Sequence, residues 1–304
     1  MDVDATGRQA KQKEQSMEKP VPDARNVPYG PHPRNVLDFW RADSEPPTPL
    51  WVWIHGGGFM GGDKSGVSPE LVNAALAAGI SMASINYRLS QQAPFPAPMH
   101  DAARAIQFLR FRGRTGWKLD PSRVAAGGGS AGGGISLWLG FHEDLAEPSS
   151  DDPIARESTR PDCMACTATQ SSYDPNFIRS IIPGPAGGHE AMQLLFRVRP
   201  EDNDTPRARE VFAAGSPINY VTAQAAPVFL FYPMPNLPLT PALSANEGIH
   251  HPRFGEVLKE KLDSLGVECV LRYREDCGDC PDEEIPRLFA REAVQFLRRQ
   301  FGMT

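Results

Sequence analysis

The sequence is short of cysteine, of positive charge and of long apolar runs, and each shortage argues against a class of protein. Five cysteines in 304 residues are an odd, low count, which argues against a fold held together by disulfides. Lys and Arg number 31 against 37 Asp and Glu, so we expect no nucleic-acid partner, because such a protein needs a basic face. No run approaches the roughly 18 apolar residues of a membrane helix, so we expect no membrane span.

The N-terminal segment is polar and lacks the apolar core of a signal peptide. This leaves the compartment open between a soluble cytoplasmic protein and one exported with its signal peptide absent from this chain. Residues 1–33 are charged and then rich in proline. We interpret them as a polar, flexible N-terminal tail.

Proline and glycine are abundant, with 30 and 27 residues, and much of the glycine falls at the ends of predicted strands. From residue 34 to 304, short apolar runs such as LWVWIH at 50–55 alternate with segments of helical periodicity such as 100–111. This alternation predicts a single α/β domain over 34–304, with a mostly parallel sheet covered by helices on both faces.

Ser130 lies at the centre of a G-x-S-x-G pattern, Gly128-Gly129-Ser130-Ala131-Gly132. The pattern follows a predicted strand and precedes a predicted helix, which is the context of a nucleophilic serine on a sharp turn. Such a turn exposes the hydroxyl at a helix N-terminus, where backbone N–H groups stabilise negative charge. The alternative is a phosphate-binding turn with G-x-G-x-x-G spacing. A dinucleotide site would also need an acidic residue about 20 positions further on, on a second strand. His142-Glu143-Asp144 lies only 12–14 residues past Ser130, in a segment predicted to be helical, so we disfavour this alternative.

A second glycine cluster, His55-Gly56-Gly57-Gly58-Phe59, directly follows the apolar run at 50–55. Backbone N–H groups in such a loop can approach an oxyanion closely, so Gly57 and Gly58, together with Ala131, are the predicted oxyanion hole. His55 precedes the loop, and we interpret it as structural rather than as a catalytic base.

Together these motifs resemble the α/β-hydrolase fold, within the hormone-sensitive-lipase-like and acetyl-esterase-like carboxylesterases. The resemblance extends to Asn86-Tyr87-Arg88-Leu89 and to Phe95-Pro96-Ala97-Pro98 followed by Asp101. It implies an eight-stranded sheet, Ser130 as nucleophile and hydrolysis of an ester through an acyl-enzyme, without a cofactor or metal. The implied partner is a small-molecule ester, and the oligomeric state stays open. We expect a short acyl group such as acetyl, because the residues before the first predicted strand are too polar and proline-rich to form a helical lid.

The family's catalytic histidine is missing from its usual place. None of the seven histidines follows residue 251, and Asp279 stands where the histidine is expected. Glu247 aligns with the usual acid, and His250 and His251 follow it. We therefore predict that His250 or His251 supplies the base and that Asp279 or Asp276 orients it, since geometry rather than chain order defines a triad.

Two alternatives accompany this prediction. The first is a catalytically impaired binding protein on the same fold, in which Ser130 has lost its base and the two histidines only cap a helix. The second concerns the C-x-x-C pairs at 163–166 and 277–280, which have the spacing of zinc ligands. About 110 residues separate the pairs, and residues three apart on a strand face opposite sides. We favour a local disulfide at the second pair over zinc.

Overall fold

The computed structural model describes residues 18–303 and contains an eight-stranded sheet. The strands lie side by side in the order β1-β2-β4-β3-β5-β6-β7-β8. Their bounds are β1 Ala24–Pro28, β2 Val36–Trp40, β3 Thr48–Ile54, β4 Ser81–Ile85, β5 Leu119–Gly129, β6 Cys163–Thr167, β7 Val228–Tyr232 and β8 Cys269–Tyr273.

The sheet is antiparallel at one edge and parallel elsewhere. Strand β2 runs antiparallel to both β1 and β4, whereas β4, β3, β5, β6, β7 and β8 pair in parallel. Strand β5 is central, with Val52 of β3 opposite Ala126 and Ala165 of β6 opposite Gly127. The predicted eight-stranded, mostly parallel sheet is confirmed.

The first strand lies inside the segment that we predicted to be a flexible tail, and this part of the prediction is wrong. Residues 24–28 pair with β2, with Val27 opposite Leu37, and the backbone N–H of Asn26 donates to Asp38 Oδ1 at 2.8 Å. The segment is polar because it is an edge strand with one neighbour, and most of its residues face water. The remainder of the predicted tail, residues 1–17, lies outside the described residues.

Helices cover both faces of the sheet, as predicted. Helices α1 and α9 lie on one face and pack against each other and against Trp51 and Phe229. Helices α2, α3 and α8 lie on the other face. The helix bounds are α1 Pro69–Ala77, α2 Ala97–Arg112, α3 Ala131–Phe141, α4 Pro175–Ile181, α5 Glu190–Phe196, α6 Pro206–Gly215, α7 Ala245–Ile249, α8 Arg253–Ser264 and α9 Ile285–Gln300.

Local sequence explains where several of these helices begin. The Ser68 side chain accepts a hydrogen bond from the Leu71 N–H, and Pro69 occupies the first turn of α1. Helix α3 is buried on every side. It can pass close to the sheet because its first turn contains Gly132, where a Cβ would collide with the carbonyl of Ile54. Among residues 18–303, no helix combines the length and apolar character needed to cross a bilayer.

Candidate active site

Ser130 sits on a strained turn between β5 and α3. Its backbone has φ 49° and ψ −120°, a conformation that is costly for a residue with a side chain and is typical of functional sites. The Ser130 N–H donates to the carbonyl of Thr167 at 2.9 Å, which ties the turn to the end of β6. The hydroxyl is thereby held at the carboxyl edge of the sheet, as the G-x-S-x-G pattern predicts.

His250 lies directly after helix α7 and faces this serine. The distance from Ser130 Oγ to His250 Nε2 is 3.0 Å. On the other side of the ring, Nδ1 lies 3.0 Å from the main-chain oxygen of Asn246. A carbonyl only accepts, so Nδ1 carries the proton and Nε2 presents its lone pair to the serine hydroxyl. This is the tautomer that a general base requires.

The environment of His250 favours the neutral ring. Burial lowers its pKa below the ordinary value of 6.5, and the nearby His189 ring acts electrostatically in the same direction. The hydrogen bond to the Asn246 carbonyl acts in the opposite direction and raises the pKa. The net shift of the pKa is downward, which favours the unprotonated ring that can accept a proton.

The loop after β3 presents backbone N–H groups to the same region. Gly57 and Gly58 have φ values of +105° and +59°, which glycine adopts without strain. A tight turn follows, in which the Met60 N–H donates to the Gly57 carbonyl at 3.0 Å. Within residues 18–303, the N–H groups of Gly57 and Gly58 have no acceptor in the chain. The N–H of Ala131 lies in the first turn of α3, where helices leave donors free.

His55 supports this loop from behind. Its Nδ1 lies 2.7 Å from the Gly56 carbonyl, and Arg34 Nη2 lies 3.1 Å from its Nε2. The ring stacks on Tyr87 at a centroid distance of 4.3 Å. Burial lowers the pKa of His55 to about 4, partly offset by the Gly56 hydrogen bond, and the Arg34 charge lowers it further. His55 therefore packs as a neutral residue beneath the loop and does not contact Ser130.

Two of the predicted site residues lie beside the site but serve other contacts. Glu247 is half-buried, and its carboxylate accepts from the Ser244 N–H and hydroxyl at 2.8 and 2.6 Å, which caps α7. His251 is buried and turns away, with Nε2 2.9 Å from the Leu237 carbonyl and Nδ1 accepting from the Arg253 N–H at 3.0 Å. Of the two adjacent histidines, only His250 reaches Ser130.

The loop after β8 does not approach the serine either. Asp279 is exposed and has no hydrogen bond or ion pair within the described residues, and the Asp276 carboxylate accepts from the Tyr273 N–H. Cys277 and Cys280 form a disulfide, and both pack against the apolar cluster on the α1/α9 face of the sheet. The loop is thus directed toward that face, and within residues 18–303 no carboxylate is hydrogen-bonded to His250. No metal-ligating cluster occurs within residues 18–303.

A cavity of about 300 Å³ opens beside Ser130. Its apolar wall comes from Met60, Met192 and Ile249, and its polar wall includes two residues that the sequence analysis did not identify, Gln170 and His189. Neither residue lies in a recognisable motif. The Asn246 carbonyl was also missed, because a main-chain acceptor leaves no signature in the sequence.

The mostly parallel sheet, with a strained serine, a facing histidine and a glycine-rich loop at its carboxyl edge, has the architecture of the α/β-hydrolase fold class. The BD-FAE family model matches residues 37–234, and the chain belongs to this family. It is 29% identical over 214 residues to esterase LipQ and 33% identical over 154 residues to carboxylesterase NlhH, both from Mycobacterium tuberculosis. These matches cover 68% and 48% of this chain but only 47% and 46% of the relatives, so the matched regions span about half of their length.

Solved structures share the fold at lower sequence identity. An acetyl ester-xyloside bifunctional hydrolase from Caldicellulosiruptor lactoaceticus superposes with a TM-score of 0.68 at 22% identity, over 96% of this chain and 95% of that one. Thermogutta terrifontis esterase 2 gives a TM-score of 0.68 at 18% identity, over 93% and 96%. The predicted α/β-hydrolase fold is confirmed.

Proposed function

We propose that the protein is a serine carboxylesterase that hydrolyses small, short-acyl esters through an acyl-enzyme on Ser130. The observation that carries the proposal is the 3.0 Å contact between Ser130 Oγ and His250 Nε2. A nucleophile and a base within hydrogen-bond reach are the geometric requirement for covalent catalysis. The names of the related esterases support the same reaction class.

Acylation begins when His250 Nε2 takes the hydroxyl proton of Ser130 as Oγ attacks the ester carbonyl carbon. The carbonyl oxygen becomes an oxyanion, which the N–H groups of Gly57, Gly58 and Ala131 stabilise. The tetrahedral intermediate collapses, the bond to the alcohol oxygen breaks, and His250 returns the proton to the leaving alkoxide. Water then repeats the sequence on the acyl-enzyme, with His250 again as base, and releases the acid.

In this mechanism the Asn246 carbonyl takes the orienting part of the usual acid. It accepts a hydrogen bond from Nδ1–H and so keeps the Nε2 lone pair free, which is the larger part of what a triad acid contributes. It carries only a partial charge, so it stabilises the imidazolium less than a carboxylate does. We therefore expect a working Ser130–His250 dyad in which neither Glu247 nor Asp279 takes part.

The preference for a short acyl group follows from the size of the cavity. About 300 Å³ is at the lower end of the range for small-molecule sites. Met60, Met192 and Ile249 bound it on the apolar side. An acetyl or similarly small group fits this space, and the printed name of the Caldicellulosiruptor lactoaceticus neighbour includes an acetyl ester.

The experiment compares p-nitrophenyl acetate hydrolysis by wild type, Ser130→Ala and His250→Ala, together with labelling by a fluorophosphonate. General-base removal at His250 should cost about 10³-fold in kcat/KM, and rapid labelling should occur at Ser130. The matched controls are Glu247→Gln, which keeps the α7 cap, and Asp279→Asn, and both should stay within about twofold of wild type. Slow labelling of Ser130 together with unchanged hydrolysis in His250→Ala would instead favour the impaired binding protein.

A further inference from the structure

The cavity beside Ser130 contains two polar atoms that neither the nucleophile, the base nor the oxyanion hole uses. They belong to Gln170 and His189, which line the cavity, and each of these side chains has one polar atom, Oε1 of Gln170 and Nε2 of His189, outside the hydrogen bonds that it makes. Both residues line the cavity, and neither belongs to the sequence motifs. Their hydrogen-bonding state defines what the cavity can bind besides the ester group itself.

Gln170 is oriented by the bonds that its amide nitrogen makes. The side chain is 3% exposed, and its Nε2 donates to the carbonyls of Ile249 and Ala168 at 2.6 and 3.2 Å. Both amide hydrogens are therefore used, and they fix the amide so that Oε1 is the remaining polar atom. Within residues 18–303 no donor reaches Oε1. Oε1 is not one of the fully enclosed unpaired side-chain atoms of the described residues, so it can accept a hydrogen bond from a ligand donor in the cavity.

His189 supplies the complementary group. Its Nδ1 accepts a hydrogen bond from the backbone N–H of Ala191 at 3.2 Å, which caps helix α5. A neutral imidazole that accepts at Nδ1 carries its proton at Nε2, so the free nitrogen is a donor. Within the described residues this nitrogen has no acceptor.

One free acceptor and one free donor match a single hydroxyl group, which donates one hydrogen bond and accepts others. Resting on the esterase function proposed above, we infer that Gln170 and His189 form a recognition site for a hydroxyl on the ester substrate, close to the ester bond. The hydroxyl lies either on the alcohol part, as in a monoacylated diol or polyol, or on the acyl part, as in a hydroxy acid ester. The two residues are specificity-determining and do not contact the reacting atoms.

Three esters of nearly the same size test this inference. Ethyl acetate has no hydroxyl, 2-hydroxyethyl acetate has one on the alcohol side, and ethyl glycolate has one on the acyl side. Each kcat/KM is divided by the rate constant of the ester with hydroxide, which removes differences in intrinsic reactivity. We expect wild type to favour one hydroxylated ester over ethyl acetate by at least about tenfold, since a site built for a hydrogen bond discriminates against the analogue that lacks it.

The variants separate recognition from structural damage. His189→Ser keeps a helix-capping oxygen but loses the Nε2 donor. Gln170→Met loses Oε1 and also the bonds from Nε2 to the carbonyls of Ile249 and Ala168, so its rates should fall for all three esters and its readout is the preference between them. A variant that damages the site lowers kcat/KM for all three esters together and leaves their ratios unchanged. A variant that loses recognition brings the ratio of kcat/KM between the favoured hydroxylated ester and ethyl acetate to within about twofold of unity. His142→Ser, at a half-buried histidine outside the cavity, should keep the wild-type preference. The two hydroxylated esters also reveal which side of the substrate carries the hydroxyl.

A binding measurement decides the inference even without turnover. In the Ser130→Ala protein, ligand-observed NMR should detect tighter binding of the favoured hydroxylated ester than of ethyl acetate, and His189→Ser in that background should remove the difference. Equal binding of all three esters, or a preference that persists in His189→Ser and Gln170→Met, would overturn the inference. Hydrolysis of ethyl acetate no faster than by Ser130→Ala would count against the proposed esterase function alone.

Discussion

The buried His55 beneath the glycine-rich loop after β3 should make the stability of this protein depend on pH in a way that one substitution can isolate. Burial lowers the pKa of His55 from 6.5 to about 4 in the folded protein. The unfolded chain therefore binds a proton at higher pH than the folded protein does. The stability that the neutral ring contributes is complete above about pH 6.5 and is lost as the pH falls toward 4.

The size of the effect follows from these two pKa values. Between pH 7 and pH 5, the loss attributable to His55 is about 2 kcal/mol, and the full loss below pH 4 is about 3 kcal/mol. Protonation also replaces the acceptor at Nε2 by a donor that faces the Arg34 guanidinium, 3.1 Å away. The same titration thus loosens the support of the glycine loop.

Urea unfolding at several values between pH 7 and pH 5 measures this contribution. His55→Gln is less stable at pH 7 but has no titrating ring, so its unfolding free energy should fall by about 2 kcal/mol less than that of wild type over this interval. Tyr87→Phe is the matched control, because it loses the 3.1 Å hydrogen bond to the His55 carbonyl and keeps the imidazole. Its pH dependence should parallel wild type. Parallel curves for His55→Gln and wild type would refute the reasoning.

Two further predictions concern His250 and the turn that carries Ser130. Because burial lowers the pKa of His250, the acid limb of the kcat/KM profile should have its midpoint below pH 6.5, and a midpoint above this value would contradict the assignment of His250 as base. Gly132→Ala places a methyl group against the carbonyls of Ile54 and His55 and should cost at least about 3 kcal/mol in urea unfolding. Gly61→Ala, with open space around the added carbon, should cost less than about 1 kcal/mol.

Much of the fold could be predicted because its elements have strong local patterns. The apolar run at 50–55 became β3, and the helical periodicity at 100–111 lies within α2. Strand β1 was missed, since a polar edge strand containing Pro28 has no apolar pattern and forms only by pairing with β2. The contact between Arg88 and Asp101, at 2.6 Å, also depends on tertiary structure that spacing alone does not reveal.

The parts of the site in which the backbone conformation requires glycine were predictable from the sequence. The parts that depend on contacts between side chains distant in the sequence were not. The two glycine clusters pointed to Ser130 and to the glycine-rich loop after β3, because only glycine lets the backbone pass so close to neighbouring backbone atoms. Sequence could not choose between His250 and His251, which are adjacent and chemically identical. The choice depends on the direction of the chain after α7. His250 directly follows that helix and faces Ser130, whereas the ring of His251 is hydrogen-bonded to the Leu237 carbonyl.

In the proposed mechanism, His250 acts as the base from the end of α7, and no residue of the loop after β8 is needed to orient it. A triad usually assembles three side chains from separate segments, so moving one of them disrupts the others. Here the imidazole and its acceptor belong to one turn, since the His250 Nδ1 bonds to the carbonyl four residues earlier. Only one distance then has to be set between distant parts of the chain, the 3.0 Å from Ser130 Oγ to His250 Nε2 across 120 residues. The buried Gln170 contributes to setting it, because it binds the carbonyl of Ile249, the residue before the base.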